Sequence, residues 1–398
     1  MRRTAAVLPN QATRWYEEMK KIGTDYMYGG KWTDEFLRLN STDYRTEQSP
    51  EITELKDAVI LPARESSVHA WGSGGAVDSD GQLAEASRLG TIFGEAYPYS
   101  RTELMTLNES VYYIPVIPKH WGHFLIDILC RFWFVLDGKD LGYRIAYCSN
   151  DFEEGLTGNY LEALELLGIN KSRLIMVTRP TQFSEVLIPG NSFGDGAPYC
   201  EKYLSVVNRI KEQVFRTDAS LLPDREDRIY FTRTKFRRSK YTEVGEERIE
   251  KLFQKNGFTV LSPERLTVRE QVFYFSTCKE IASLSGTIGH QIVFSEPGNQ
   301  YYNLNRCCLL NYAQLAVNQM SSAEITYIDV YAKETLKKPQ YWPVWVEANH
   351  NLSRFFRDRS FPVTDYKPIE ASVFKLVDFI HFKYLFLRLR IKAFVGRT

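Results

Sequence analysis

From about residue 111 to 304, short runs rich in β-branched and aromatic residues alternate with stretches of helical periodicity. This alternation constrains the chain more than any other feature. Such a chain buries both kinds of element only when the strands lie parallel and helices cross between them, so an α/β fold is expected. In the first stretch, strands are predicted at 111–117, 143–148, 173–177 and 186–188, with helices at 120–136, 156–167 and 199–216. The 120–136 helix would present Phe124, Ile128, Phe132 and Val135 on one face. In the second stretch, strands at 228–232, 258–261, 280–284 and 300–304 alternate with helices at 244–256, 266–276 and 289–295. Thr267 followed by Glu270 has the spacing of a capping box. Ahead of these, 58–62 and 72–77 read as strands joined by tight turns, with Asp78-Ser79-Asp80-Gly81 supplying the turn chemistry.

A chain of 398 residues holds two or three domains at ~150 residues each. The expected division is an extension over 1–57, Rossmann-like domains over 58–220 and 221–335, and a helical tail over 336–398. Fifty Lys and Arg residues against forty-nine Asp and Glu leave a net charge of +1. Nucleic-acid binding by the whole chain is therefore not expected, because it requires a basic excess. The six cysteines form no C-x-x-C pair and read as small buried hydrophobes. The first residues are basic without an apolar core, and no window reaches the ~18 apolar residues of a membrane span, so a cytoplasmic protein is expected.

The end of the chain differs in kind. Over 371–398, apolar residues recur near helical spacing among Lys375, Lys383, Arg388, Arg390, Lys392 and Arg397, with Asp378 the single acid. This pattern suits an interfacial helix on an anionic membrane surface, and equally a terminal helix packed on the body with its bases in solvent.

Three clusters could carry chemistry. In residues 228–240, six bases and no acid lie where a strand passes into a loop. Ligands of open α/β sheets bind at such strand ends, and the guanidinium groups of Arg233, Arg237 and Arg238 suit a nucleotide diphosphate. A solvated basic loop or a nucleic-acid patch would read the same way. The second cluster, Ser285-Gly286-Thr287-Ile288-Gly289-His290, is a strand-to-helix turn whose backbone N–H groups would face an anion, or simply a tight turn. The third is His120-Trp121-Gly122-His123-Phe124-Leu125-Ile126-Asp127. His123 and Asp127 share a helix face, so the carboxylate can orient the imidazole as a general base, or the group can be a packing cluster. Asp78-Ser79-Asp80 spells a metal-binding motif but sits in a turn, and no metal site is expected.

These pieces occur in an order similar to that of glycosyltransferase family 61. They are His123-Phe-Leu-Ile-Asp127, Tyr230-Phe-Thr-Arg233, Gly245-Glu246, Gly257-Phe258-Thr-Val260, Leu266-Thr267-Val-Arg-Glu270-Gln271, Gly286-Thr287 and Phe294-Ser-Glu-Pro297-Gly298. The resemblance covers about 58–305 and implies a GT-B-like fold, two Rossmann-like domains flanking a cleft. It also implies an inverting, metal-independent transferase. Such an enzyme needs no cofactor and moves a sugar from a nucleotide-sugar donor, usually UDP-linked, to a hydroxyl of a glycan or lipid-linked acceptor. Carried over, Arg233 and the turn Gly286, Thr287, Ile288 and Gly289 hold the diphosphate. Glu246, Glu264 and Gln271 lie near the nucleoside or order that wall. His123 and Asp127 act as base and orienter, with Asp195 the next candidate for the base.

The chain departs from the family at the turn, where members often read His-Gly-Ala-x-Leu-Thr-Asn, and at Asn303, where a Glu often stands. The resemblance points to a bacterial-type enzyme of capsule or other surface-glycan assembly. The altered turn leaves a second reading open, a non-catalytic nucleotide-sugar or glycan-binding assembly factor.

Overall fold

The computed structural model describes residues 27–29, 38–194, 198–236, 243–307, 311–333 and 343–395. Two large sheets and a separate two-stranded one organise the described residues. The strands are β1 (Met27–Tyr28), β2 (Ile52–Lys56), β3 (Val59–Arg64), β4 (Ser73–Val77), β5 (Met105–Val116), β6 (Arg144–Cys148), β7 (Leu174–Met176), β8 (Thr181–Pro189), β9 (Arg228–Phe231), β10 (Glu243–Val244), β11 (Thr259–Leu261), β12 (Glu280–Leu284), β13 (Gln300–Asn305), β14 (Glu324–Asp329) and β15 (Val344–Trp345). The helices are α1 (Trp121–His123), α2 (Asn159–Leu166), α3 (Glu201–Arg216), α4 (Glu246–Lys255), α5 (Val268–Thr277), α6 (Tyr312–Met320), α7 (His350–Asp358) and α8 (Pro368–Val395).

The first sheet runs β4-β3-β8-β5-β6-β7, with β2 also on β8. β5, β6, β7 and β8 are mutually parallel where they pair, while β2 and β3 run antiparallel to β8 and β4 antiparallel to β3. Counted from β5, the parallel strands stand in the order 3-2-1-4, so the winding reverses between β5 and β8. The turn closing β4 is held by the Asp78 carboxylate, which accepts from the N–H groups of Asp80 and Gln82, and Gly81 adopts the required positive φ of 79°.

The second sheet, β1-β14-β13-β12-β9-β11, is parallel throughout. Counted from β9 its strands stand in the order 2-1-3-4-5, and the reversal lies between β9 and β12. Right-handed crossovers then place helices on opposite faces before and after the reversal. Accordingly α4 packs Ile249, Leu252 and Phe253 on one face, together with Leu352, Phe355 and Phe356 of α7. α5, α6 and the 3-10 helix Thr287–Phe294 cover the other.

That second helix layer also packs against α3, so one apolar core runs from the first sheet to the second. Glu162 of α2 reinforces the junction: its carboxylate accepts from the Val268 N–H at 2.8 Å, at the first turn of α5, and pairs with Arg269 at 2.5 Å. A carboxylate at a helix N-terminus satisfies donors that have no partner inside the helix.

Residues 1–57 are not wholly irregular, since β1 joins the edge of the second sheet and β2 pairs with the first. The predicted tail divides in two: α7 belongs to the second unit's core, and α8 extends beyond it. Among the described cysteines, Cys130, Cys148, Cys200 and Cys278 are buried and Cys307 is half-buried. No described helix is long and apolar enough to cross a membrane.

Candidate active site

Both reversals carry chemistry-bearing residues at the carboxyl ends of their strands, where open α/β sheets bind ligands. On the first sheet, β5 runs into a helical segment that opens as α1, continues as a π-helical turn (Phe124–Ile128) and closes as a 3-10 helix (Leu129–Val135). Such π turns interrupt helices mostly at functional positions. His123 ends α1, and its Nδ1 lies 2.7 Å from a carboxylate oxygen of the buried Asp127 inside the π turn. A carboxylate only accepts, so Nδ1 carries the hydrogen of this bond. The ring stands edge-on to Trp71 at 4.4 Å and beside His120 at 4.7 Å, and it is one-third exposed. Four residues beyond Asp127, the wholly buried Arg131 donates to the carbonyls of Ala86, Arg88 and Pro189 and so anchors this segment to the sheet.

On the second sheet, Arg233 follows β9 and Gly286 follows β12. Gly286 has φ +150° and ψ −161°, a conformation open only to glycine. A Cβ placed on it would lie 3.6 Å from Nη1 of Arg233 and 3.9 Å from Nη2 of Arg306. Two guanidinium groups therefore converge on the turn. Both bind Glu243, a half-buried residue whose side chain is only 5% exposed: Arg233 through Nε at 2.9 Å and Arg306 through Nη1 at 2.6 Å.

Beneath them, Glu246 accepts from the Arg233 N–H at 2.9 Å and the Tyr230 hydroxyl at 3.2 Å. Burial, with the charge of Glu243 adding to it, pushes the Glu246 carboxyl up to about 8. It is mostly protonated at pH 7, so it lends little negative charge to the turn that the two guanidinium groups face.

The other predicted residues take distinct places. Thr287 opens the 3-10 helix half-buried, whereas Ile288 and Gly289 are buried. The Gly289 N–H is already bonded to the Gly286 carbonyl, and a Cβ on Gly289 would come within 2.8 Å of both Gln314 and Tyr301. Gln271 is buried, donates to the carbonyls of Pro263 and Leu266, and accepts from Gln291 at 2.6 Å, which ties the loop after β11 to the helix after Gly286. Glu264 is exposed on that loop, and its charge acts on Arg233. Arg237, Arg238 and Asp195 lie outside the described residues.

The two sites meet. A Cβ on Gly122 would lie 2.8 Å from the Thr287 hydroxyl, so α1 of the first unit touches the Gly286 turn of the second one residue before His123. His290, three residues beyond Thr287, is buried within the field of His123, Asp127 and His120. Among the described residues, no three His, Cys, Asp or Glu side chains are placed to hold a metal ion.

Residues 121–302 match the family model Glycosyltransferase 61. The matched segment begins at α1 and ends in β13, so the glycosyltransferase 61 match contains His123, Asp127, Arg233, Glu243, Glu246 and the Gly286 turn, and stops four residues before Arg306. No curated protein matches the chain.

Arg306 and Glu243 were not among the residues picked out from sequence. Both had signals: Arg306 follows directly on a parallel strand, and Glu243 is the first acid after the basic run.

Proposed function

We propose that the chain is an inverting, metal-independent glycosyltransferase of GT-B-like architecture, moving a sugar from a UDP-linked donor to a hydroxyl of a glycan or lipid-linked acceptor in surface-polysaccharide synthesis. The observation that carries this reading is the contact of Gly122 with Thr287, which sets the helix that ends in the carboxylate-bound His123 against the turn that two guanidinium groups face. Inverting transfer needs these two parts on opposite sides of the reacting carbon. Nε2 of His123 takes the acceptor proton as the oxygen attacks the anomeric carbon, and Asp127 stabilises the imidazolium that forms. The leaving diphosphate gathers negative charge, which the guanidinium groups of Arg233 and Arg306 and the N–H groups at the start of the 287–294 helix stabilise.

Glu246 and Gln271 act from beneath, as positioning residues. The first holds the Arg233 backbone and the second holds the loop that carries Glu264. The test is a panel of UDP-, GDP-, CMP- and dTDP-sugars assayed for donor hydrolysis and for transfer to mixed glycan acceptors. Turnover of one donor class is the expected result. A nucleotide that binds without any turnover would instead favour the assembly factor.

A further inference from the structure

α8 is amphipathic in an inverted sense. A helix packed on a protein ordinarily turns its apolar stripe inward and its polar residues to solvent. The inward face of α8 is narrow: Phe382 and Leu385 are buried with Val244, Ala332 and Trp345, and two ion pairs, Asp378–Arg248 at 3.3 Å and Lys375–Glu347 at 3.3 Å, fasten the same side. On the opposite side Ile369, Val373, Leu376, Ile380, Leu387 and Ile391 recur at intervals of three, four and seven residues, and each is 53–80% exposed. These spacings put all six on one stripe that points away from the body. Lys383 and Arg390, both exposed and seven apart, run along one border of the stripe, and Arg388 stands on the other.

The geometry points to α8 as a docking surface for an anionic lipid bilayer, on which the helix lies in the plane of the interface. Exposed apolar surface on this scale is unusual unless something covers it. Charge identifies the cover. The acids of α8 are Glu370, in the first turn, and Asp378, which is held by Arg248. A second copy of the stripe would set Lys383 and Arg390 against further bases with no acid to answer them. Anionic headgroups answer them directly, while the isoleucines and leucines enter the acyl boundary. The helix is not apolar enough to span. This inference does not depend on the sugar-transfer reading.

The test is sedimentation of the full chain with phosphatidylcholine vesicles, with and without about a third phosphatidylglycerol. Expected is retention on anionic vesicles at least tenfold above that on neutral ones, reversed by high salt. Leu376→Glu with Ile380→Glu should lower retention at least tenfold, with the melting transition and nucleotide affinity unchanged. Lys383→Glu with Arg390→Glu, which alters only exposed side chains, should lower retention on anionic vesicles alone. A wild-type chain that stays in the supernatant, or charge-reversed protein retained like wild type, overturns the proposal. So does a dimer in light scattering that L376E with I380E dissociates while no vesicle binds, since the stripe would then belong to a second copy.

Discussion

Gly122 and Thr287 stand so close that the threonine hydroxyl would be 2.8 Å, and its methyl group 3.2 Å, from any Cβ on the glycine. The β-branched threonine at the start of a helix has little room to retreat. Gly122→Ala should therefore cost about 1–3 kcal/mol, through overpacking at the junction of the two units. Thr287→Ala in the same chain should recover most of the loss. Thermal unfolding of the two single variants and the double variant measures the coupling, and simple additivity would show that the two residues do not press on one another.

In the proposed reaction His123 and Asp127 both act on the acceptor proton, so His123→Ala and Asp127→Asn should each lower turnover by roughly 10²–10⁴-fold, with donor affinity nearly unchanged. Steady-state kinetics with donor and acceptor varied separately is the check. A loss that appears mainly in the donor KM would place the pair in donor binding.

Arg306→Ala should weaken nucleotide-diphosphate binding as strongly as Arg233→Ala, since both guanidinium groups face Gly286. Arg233→Lys should fail to restore it, because an ammonium group cannot reproduce the contacts of Nε and Nη2 with Glu243. Titration calorimetry with UDP distinguishes the cases, and full affinity in the Arg306 variant would remove that residue from the site.

Glu246 makes stability depend on pH. Its folded carboxyl titrates at about 8, well above the ~4.3 of an unfolded chain, so between those values the folded protein holds a proton that the unfolded chain has lost. Its contribution is therefore intact below about pH 4, falls as pH rises and is gone above 8, a few kcal/mol in all. Urea unfolding across that range should show the fall, and Glu246→Gln should flatten it.

His290 works in the opposite direction. Burial, then the neighbouring His123, lowers its imidazole to about 4, below the ~6.5 of an unfolded chain. Between those values the unfolded chain binds the additional proton, so acidification through that window destabilises the protein by roughly 3 kcal/mol. Comparing wild type with His290→Gln in urea at pH 7 and at mildly acidic pH isolates the term. A variant with an equally steep acid limb would assign it to another group.

The elements easiest to read from sequence were those whose signals are local. Strands 228–231 and 280–284 stand where the apolar runs placed them, and Thr267 and Glu270 form the reciprocal cap that their spacing predicts. The helix over 312–320 and the strand over 324–329 gave weaker signals. α6 carries buried Gln314, Asn318 and Gln319, which partner one another, Gly289, Tyr327 and Thr42. Polar residues satisfied only in the folded state dilute an apolar pattern. At the site, the run 228–240 looked like an open patch of bases because Glu243, which binds Arg233, lies just beyond it. Glu246 and Gln271, which the resemblance puts near the nucleoside or ordering its wall, are both buried and bonded to neighbouring backbone groups, a placement that no local pattern signals.

Sequence alone determined the parallel α/β elements, the His123–Asp127 pairing along one turn of helix, and the basic, apolar character of the last helix. Each rests on residues a few positions apart, whose geometry is set by helical or strand periodicity. Only the tertiary structure decided that both sheets reverse their winding where these groups stand, and that Gly122 meets Thr287. It also decided that Arg306 joins Arg233 over one carboxylate, and that the apolar stripe of α8 faces outward. Those relations join residues tens to hundreds of positions apart, and they exist only once the shared core between the sheets has fixed where each strand ends.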